Sequence, residues 1–384
     1  MKQSLRQLLL LSLTGSVLLA GWRAVPLMEQ TAIGTAVLPE SVQPEAVRQE
    51  TAPAEESQSS AVTAPPQTET APVTTPELLA PADSPAENPN IINIESEGSK
   101  AMHYSQLYQQ DNSGAGGTIV DRHFGVQPGN LFFSLDGGGQ VRNTTFWSNA
   151  DLLAESRIEP ELDLKTDGTP MVLIYHTHTT ESFVSEKTGT YTDGFNFRTT
   201  EPDKNMVMVG DAIAEQLAAA GIGVVHAREI HDFPVWSGSY DNSAATVRSI
   251  LAEYPSICIA LDIHRDALGE GDAVAAPVAD ISGKQSAQIM IISGCDDGTM
   301  GMPEYRKNFH FASKLQQTAE RMFPGFTRPI LFDYRKYNQD LTQGSLLIEV
   351  GSQGNTLEEV RFAGELTGKA LSAVITELAE RGTQ

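Results

Sequence analysis

The apolar positions of the C-terminal half follow two periods in turn. Met171-Val172-Leu173-Ile174-Tyr175 is an unbroken apolar run and predicts a strand buried on both faces. Met206, Val209, Ile213 and Leu217 recur at helical spacing, and Gly221 supplies a stop. Gly223-Val224-Val225-His226 predicts another strand, and Val247, Ile250, Leu251 and Tyr254 mark a helix closed by Pro255. Residues 257–263 and 288–293 read as strands. Tyr305, Phe309, Ala312, Leu315, Ala319 and Met322 share one face of a long helix. A strand at 346–350 precedes a last helix at about 357–379, with Asn355 expected as its N-cap and Glu358 completing a capping box. Strands alternating with helices predict an α/β fold over residues 170–384, a three-layer sandwich with a mostly parallel sheet. No internal repeat is visible.

Before residue 170 the pattern changes. Residues 101–169 are Gly- and Asn-rich, punctuated by Phe124, Leu131-Phe132-Phe133, Phe146-Trp147 and Leu152-Leu153, and read as an N-terminal extension or a small appended region. Residues 29–100 are rich in Pro, Ala, Thr, Ser and Glu and hold no aromatic residue. Such a segment buries too little apolar surface to offset its ordering entropy, so a disordered, acidic linker is expected. Residues 1–28 begin with Lys2 and Arg6, followed by an apolar run from Leu8 to Trp22 without a clean small-residue cleavage site. This reads as an uncleaved signal anchor, a single pass through the cell membrane with the remainder extracytoplasmic.

The formal charge of −23 excludes nucleic acid as a partner of the chain as a whole. Much of that acidity lies in the linker, so it does not describe the site. Cys258 and Cys295 both sit in apolar runs and read as buried thiols, at a spacing unsuited to a metal.

The candidate chemistry collects at strand ends. The first strand runs into His176-Thr177-His178-Thr179-Thr180-Glu181, the strand at 257–263 into His264-Arg265-Asp266, and the strand at 346–350 carries Glu349. Groups at strand ends lie at the mouth of a sheet, where ligands bind. Two His and one carboxylate form a catalytic zinc set with one position open to water. His178, Glu181 and His264 are therefore the expected ligands of Zn2+, and Glu349 the general base. An isolated H-x-x-E pair arises often by chance; its combination with two further strand-end groups is far more specific. Arg265 reads equally as an ion-pair partner of Asp266 or as a binder of the developing oxyanion. His176 is an alternative ligand or a supporting group, and Asp262 a group able to orient an imidazole. Glu201 rivals Glu181, although a helix-N-terminal charge explains it better. Asn338 is a possible substrate contact in what reads best as a plain loop. His231 is expected to be structural.

Taken together, Ile174-Tyr175-His176-Thr177-His178-Thr179-Thr180-Glu181-Ser182, residues 205–210, Ile230-His231-Asp232, Asp262-Ile263-His264-Arg265-Asp266, Tyr337-Asn338-Gln339 and Ile348-Glu349-Val350-Gly351 resemble the stage II sporulation protein P (SpoIIP) family, in order and in spacing, from Pro170 to the C-terminus. The resemblance implies a zinc-dependent peptidoglycan hydrolase of the N-acetylmuramoyl-L-alanine amidase kind, with endopeptidase cleavage of cross-links also attributed to it, acting in engulfment during endospore formation. It implies a lytic transglycosylase partner (SpoIID-like) and a membrane scaffold (SpoIIM-like). Carried onto this sequence, it places the metal and catalytic positions on His178, His264 and Glu349, with Glu181 or His176 completing the set. Two other functions fit the residues: a zinc carboxypeptidase-like peptidase, with Arg265 or Arg335 receiving a terminal carboxylate, and a catalytically inactive wall-binding module.

Overall fold

A computed structural model describes residues 88–109 and 116–382. Strand β1 (Ile91–Ile94) and helix α1 (Glu97–Met102) open the described chain, followed by β2 (Gly117–Arg122), β3 (Phe132–Ser134), β4 (Gln140–Asn143) and α2 (Asn149–Glu155). The central part is β5 (Pro170–Tyr175), β6 (Thr190–Tyr191), α3 (Met206–Ala219), β7 (Gly223–Ala227), α4 (Ser239–Glu253) and β8 (Ile259–Asp266). Then come β9 (Gly269–Glu270), β10 (Ala273–Ile281), β11 (Lys284–Ala287), β12 (Ile289–Gly294), α5 (Tyr305–Met322), β13 (Ile330–Asp333), β14 (Gly344–Ser352) and α6 (Leu357–Gly382).

The result is a mixed α/β fold around a large sheet of order β1-β7-β5-β8-β14-β12-β13-β4-β3. Its neighbours run parallel except at β12/β14 and β3/β4. Successive residues of a strand face opposite sides, and both sides are covered here. Val172, Ile174, Val224 and Leu261 join one apolar cluster with Ile213 of α3, Leu315 of α5 and Leu371 of α6. Leu173, Tyr175, Val225 and Ala260 join a second cluster with Val247 and Ile250 of α4. Burial on both sides is why these strands read as unbroken apolar runs. A smaller sheet, β11-β10-β2-β6 with β9 on β10, lies off the predicted pattern. Its main strand, β10, is rich in Ala and contains Pro277, so it carried no clear strand signal.

Two expectations are corrected. The spacer does not extend to residue 100: β1 pairs with β7, Ile91 opposite Val224. Ile91 packs on one cluster, Ile92 and Ile94 on the other, and this apolar burial offsets the cost of ordering β1. Ser96 and Ser99 fix α1 by donating to Glu229. Of the two alternatives for residues 101–169, the described part agrees with the extension: β2 belongs to the small sheet, and β3 and β4 extend the large one. The N-terminal box of α6 is Thr356 and Glu359, not Asn355 and Glu358. Thr356 N–H donates to Glu359 Oε2 at 3.0 Å, and Glu359 N–H to Thr356 Oγ1 at 3.2 Å. The expected anchor and most of the expected linker lie outside the described residues. Among the described residues, no helix is long and apolar enough to cross a membrane.

Candidate active site

Three adjacent parallel strands, β5, β8 and β14, bring the predicted groups to one edge of the large sheet. Tyr175 at the end of β5 stands opposite Asp262 of β8, and His264 of β8 stands opposite Glu349 of β14. The chain leaves β5 through a tight turn in which Glu181 N–H donates to the His178 carbonyl at 3.2 Å. This turn returns Glu181 to the site, where its Oε2 lies 3.8 Å from His264 Nδ1 and accepts the Arg265 backbone N–H at 3.2 Å. The His178 and His264 rings are 5.2 Å apart, edge to face. On β14 a bulge follows Glu349 at once: the register shifts between Glu349 and Ser352, and Gly351 takes φ 66°. Bulges re-aim side chains at strand ends, and a Cβ at Gly351 would come within 2.7 Å of Asn355 Oδ1.

Asp262 organises the cluster from below. It is fully buried and accepts both Thr177 N–H at 2.8 Å and Thr177 Oγ1–H at 2.7 Å. Its Oδ1 is also 2.8 Å from His264 Nε2, an ion-pair contact whose angle falls outside that of an ordinary hydrogen bond. A carboxylate there favours a proton on Nε2 and turns Nδ1 toward Glu181.

Charge separates the two imidazoles. Burial pulls both down. At His178 it prevails, so this ring stays neutral. At His264 the carboxylates of Asp262, Glu181 and Glu349 overcome it and push the ring up to about 9. Burial also disfavours the Glu181 carboxylate, but Arg265, His178, His264 and Arg198 hold it below the usual range. Glu349 moves the other way. Burial, followed by the negative charge of Asp266, raises it to about 8 against the pull of His264. The residue keeps some exposure, yet its Oε2 is sealed from solvent and has no hydrogen-bond partner.

The fit to a zinc ion can be judged from these atoms. Two donors on a tetrahedral zinc stand about 3.4 Å apart at ligand distances of about 2.1 Å. The separation of 3.8 Å between His264 Nδ1 and Glu181 is a few tenths longer. His178 Nδ1 is buried without a hydrogen-bond partner. Among the described residues no three His, Cys, Asp or Glu groups are drawn together tightly enough to hold a metal as they stand. His178, Glu181 and His264 thus have the right chemistry, and the Glu181–His264 pair has nearly the right spacing.

The remaining candidates lie elsewhere. His176 turns away from the cluster: its Nδ1 bonds the Ile263 carbonyl at 3.0 Å and its Nε2 lies 2.9 Å from His226 Nε2, whose ring in turn leads to Asp211 at 3.0 Å. Glu201 is held by Lys204 and by the Tyr108 N–H, away from the strand ends. Asn338 donates to the Tyr240 carbonyl and to Ser243 Oγ, fixing its loop to α4. The Arg265 guanidinium donates to the carbonyls of Ser182, Asp266 and Phe197, so it braces the loops around Glu181 rather than an oxyanion. The Asp266 carboxylate pairs with Arg328 rather than with Arg265. His231 is structural as expected, with its Nδ1 on the His176 carbonyl and its Nε2 beside Thr246 Oγ1.

Several residues of the site were given no role from the sequence, although Asp232 stands in one of the motifs that carry the family resemblance. Asp232 accepts Thr180 N–H, Thr180 Oγ1–H and Arg198 Nη1–H, which fixes the turn between His178 and Glu181. Trp236 stacks on His178 at 5.3 Å, and Tyr240 packs edge-on against the same ring at 5.6 Å. These residues precede or open α4, remote in sequence from every His-bearing strand end.

Comparison with known proteins sets this site in context. The family model for stage II sporulation protein P (SpoIIP) matches residues 44–376. The stage II sporulation protein P of Bacillus subtilis (strain 168) is 30% identical over 224 residues, covering 54% of this chain and 51% of that protein. The match therefore spans about half of the relative's length. Among solved structures, an N-acetylmuramoyl-L-alanine amidase of Nostoc punctiforme aligns at 13% identity over 55% of this chain and 98% of its own, with a TM-score of 0.33. A metallo-carboxypeptidase of Burkholderia cenocepacia aligns at 10% identity over 55% and 58%, with a TM-score of 0.31. The structural likenesses are too slight to bear on function. The family match extends over most of the sequence and includes every residue of the strand-end cluster: the chain belongs to the stage II sporulation protein P family.

Proposed function

We infer that the protein is a zinc-dependent peptidoglycan hydrolase that cleaves the amide between N-acetylmuramic acid and L-alanine in sporulation. The observation that carries this reading is the convergence of His178, Glu181, His264 and Glu349 at the ends of β5, β8 and β14. Family membership supports the sporulation setting. The reading includes cross-link endopeptidase activity as a second cleavage, tethering to the membrane through residues 1–28, and SpoIID-like and SpoIIM-like partners.

Zinc, when bound, supplies a Lewis acid that polarises the scissile carbonyl and acidifies water. His178, Glu181 and His264 would hold it, and Asp262 would keep the His264 ring in its orientation. Glu349, raised to about 8, exchanges its proton near neutral pH. One carboxyl can then take a proton from the attacking water and return it to the leaving amine. The carboxypeptidase alternative needs a free cation for a terminal carboxylate. Arg265 is engaged by three carbonyls and Arg335 by Asp333 and the Tyr337 hydroxyl, so neither meets that need.

The test is digestion of purified peptidoglycan by the full chain, with and without a zinc chelator, read by mass spectrometry. Stem peptides with a free L-alanine amino terminus, lost on chelation and restored by zinc, are expected. Glu349→Gln should keep zinc and lose about 10²–10⁴ of turnover, whereas His264→Ala should lose zinc. Intact stems under every condition would remove the amidase reading.

A further inference from the structure

The loop between β7 and α4 sets a half-exposed tryptophan against a candidate metal ligand. Trp236 keeps 50% of its surface exposed and Val235 keeps 64%. An exposed Trp at a surface is ordinarily free to move, but this one is not. Its indole lies nearly parallel to the His178 ring, at 16° and 5.3 Å. The loop is pinned just before it by buried His231, bonded to the His176 carbonyl at 2.7 Å and near Thr246 Oγ1 at 3.0 Å. Buried Asp232 pins it again through Thr180 and Arg198. Just after it, the Trp236 carbonyl accepts Ser239 Oγ–H at 2.6 Å, which ties the loop to the start of α4. A rigid aromatic face beside the reacting groups is thus displayed to solvent at the mouth of the site.

We propose that Trp236 is a binding platform for a pyranose ring of the glycan strand, next to the ring that carries the bond to be cleaved. This rests on the hydrolase reading above. In that substrate the scissile carbonyl carbon is three bonds from the sugar ring, so the ring stands about 4 Å from it at ~1.5 Å per bond. The indole face toward His178 is taken up by that ring, at 16° and 5.3 Å, so the open face lies beyond it, one sugar further along the strand from a carbonyl placed at His178 and His264. The C–H face of a pyranose is apolar and flat, and it matches the open indole face, whereas its hydroxyls remain in water. The platform sets binding and register, and the reacting atoms stay with Glu349.

Calorimetry on the full chain tests this with two probes: glycan strands stripped of their stems, and free stem peptide. Trp236→Ala is expected to lose about tenfold or more in affinity for stem-free glycan and to bind stem peptide unchanged, with KM raised and kcat nearly kept. Trp236→Tyr should retain most of the affinity, because it keeps an aromatic face. Unchanged glycan binding in Trp236→Ala overturns the proposal. So does an equal loss for both probes, which is the result of a displaced His178. Failure of the hydrolase reading is read separately, as absence of cleavage by the wild type, since binding of stem-free glycan needs no turnover.

Discussion

Asp262 ties two residues to the site at once: Thr177 through two hydrogen bonds and His264 through its Nε2. Metal-ligating histidines held in this way lose affinity when the holding carboxylate goes. Asp262→Asn is expected to weaken zinc binding by about 10–100-fold, measured by competition with a chromophoric chelator; unchanged affinity would show that the His264 ring is fixed by packing alone. Gly210 makes a second residue-scale case. It lies in α3 over the buried His176–His226 pair, and a Cβ there would come within 2.5 Å of His226 Nε2 and 2.8 Å of His176 Nε2. Alanine gains about 1 kcal/mol in helix propensity, but overpacking two buried rings costs about 1–3 kcal/mol. Gly210→Ala is therefore expected to be destabilising or at best neutral in chemical denaturation, against the gain that an open helix position would give.

At the scale of elements, α2 and α5 are joined by Glu155, which pairs with Arg306 and, at 2.7 Å, with His310. Burial raises the Glu155 carboxyl, but its hydrogen bonds to Arg306 and His310 outweigh that and hold it below its usual value of 4.5. A depressed carboxylate contributes stability above its unfolded value and loses it as pH falls through the folded value. The stability difference between wild type and Glu155→Gln should thus be full at neutral pH, about 1–2 kcal/mol, and close below about pH 4. Denaturation curves taken from pH 7 to pH 3 would show it; a gap independent of pH would contradict the pairing. The bulge on β14 is the other decisive element. Gly351→Ala meets both a positive φ and a contact of 2.7 Å. It should cost about 1–2 kcal/mol and lower turnover further than a surface change of equal stability, because Glu349 stands two residues away.

For the whole molecule, the boundary of the folded part matters. A chain cut at residue 100 loses β1 and most of α1, and with them the Ile91 and Ile94 packing and the Ser96 and Ser99 bonds to Glu229. Relative to a chain that begins at Asn88, it is expected to lose about 2 kcal/mol or more, seen as a lower Tm. Equal melting would mean that β1 adds nothing to the sheet. The edge of the sheet is near the site only through β7 and β5, so the shorter chain should still bind zinc.

Much of this was legible in the sequence. The unbroken apolar runs of β5, β8 and β14, the helical spacing in α3 and α5, and the stop at Gly221 follow from periodicity, because each strand is buried on both faces and each helix on one. The meeting of His178, Glu181, His264 and Glu349 was legible because groups at the ends of neighbouring parallel strands come to one edge of the sheet. The small sheet was not, since Ala-rich β10 and the two-residue strands β6 and β9 have no pattern of their own and exist only by pairing. Nor was the fate of His176, Arg265 and Asn338, all close in sequence to the chemistry. Which imidazole faces a metal and which faces a second histidine depends on what a different strand places beside it. Trp236 and Asp232 reach the site through a loop whose path is fixed by hydrogen bonds to the turn after β5, a fact of three-dimensional contact that no local spacing encodes.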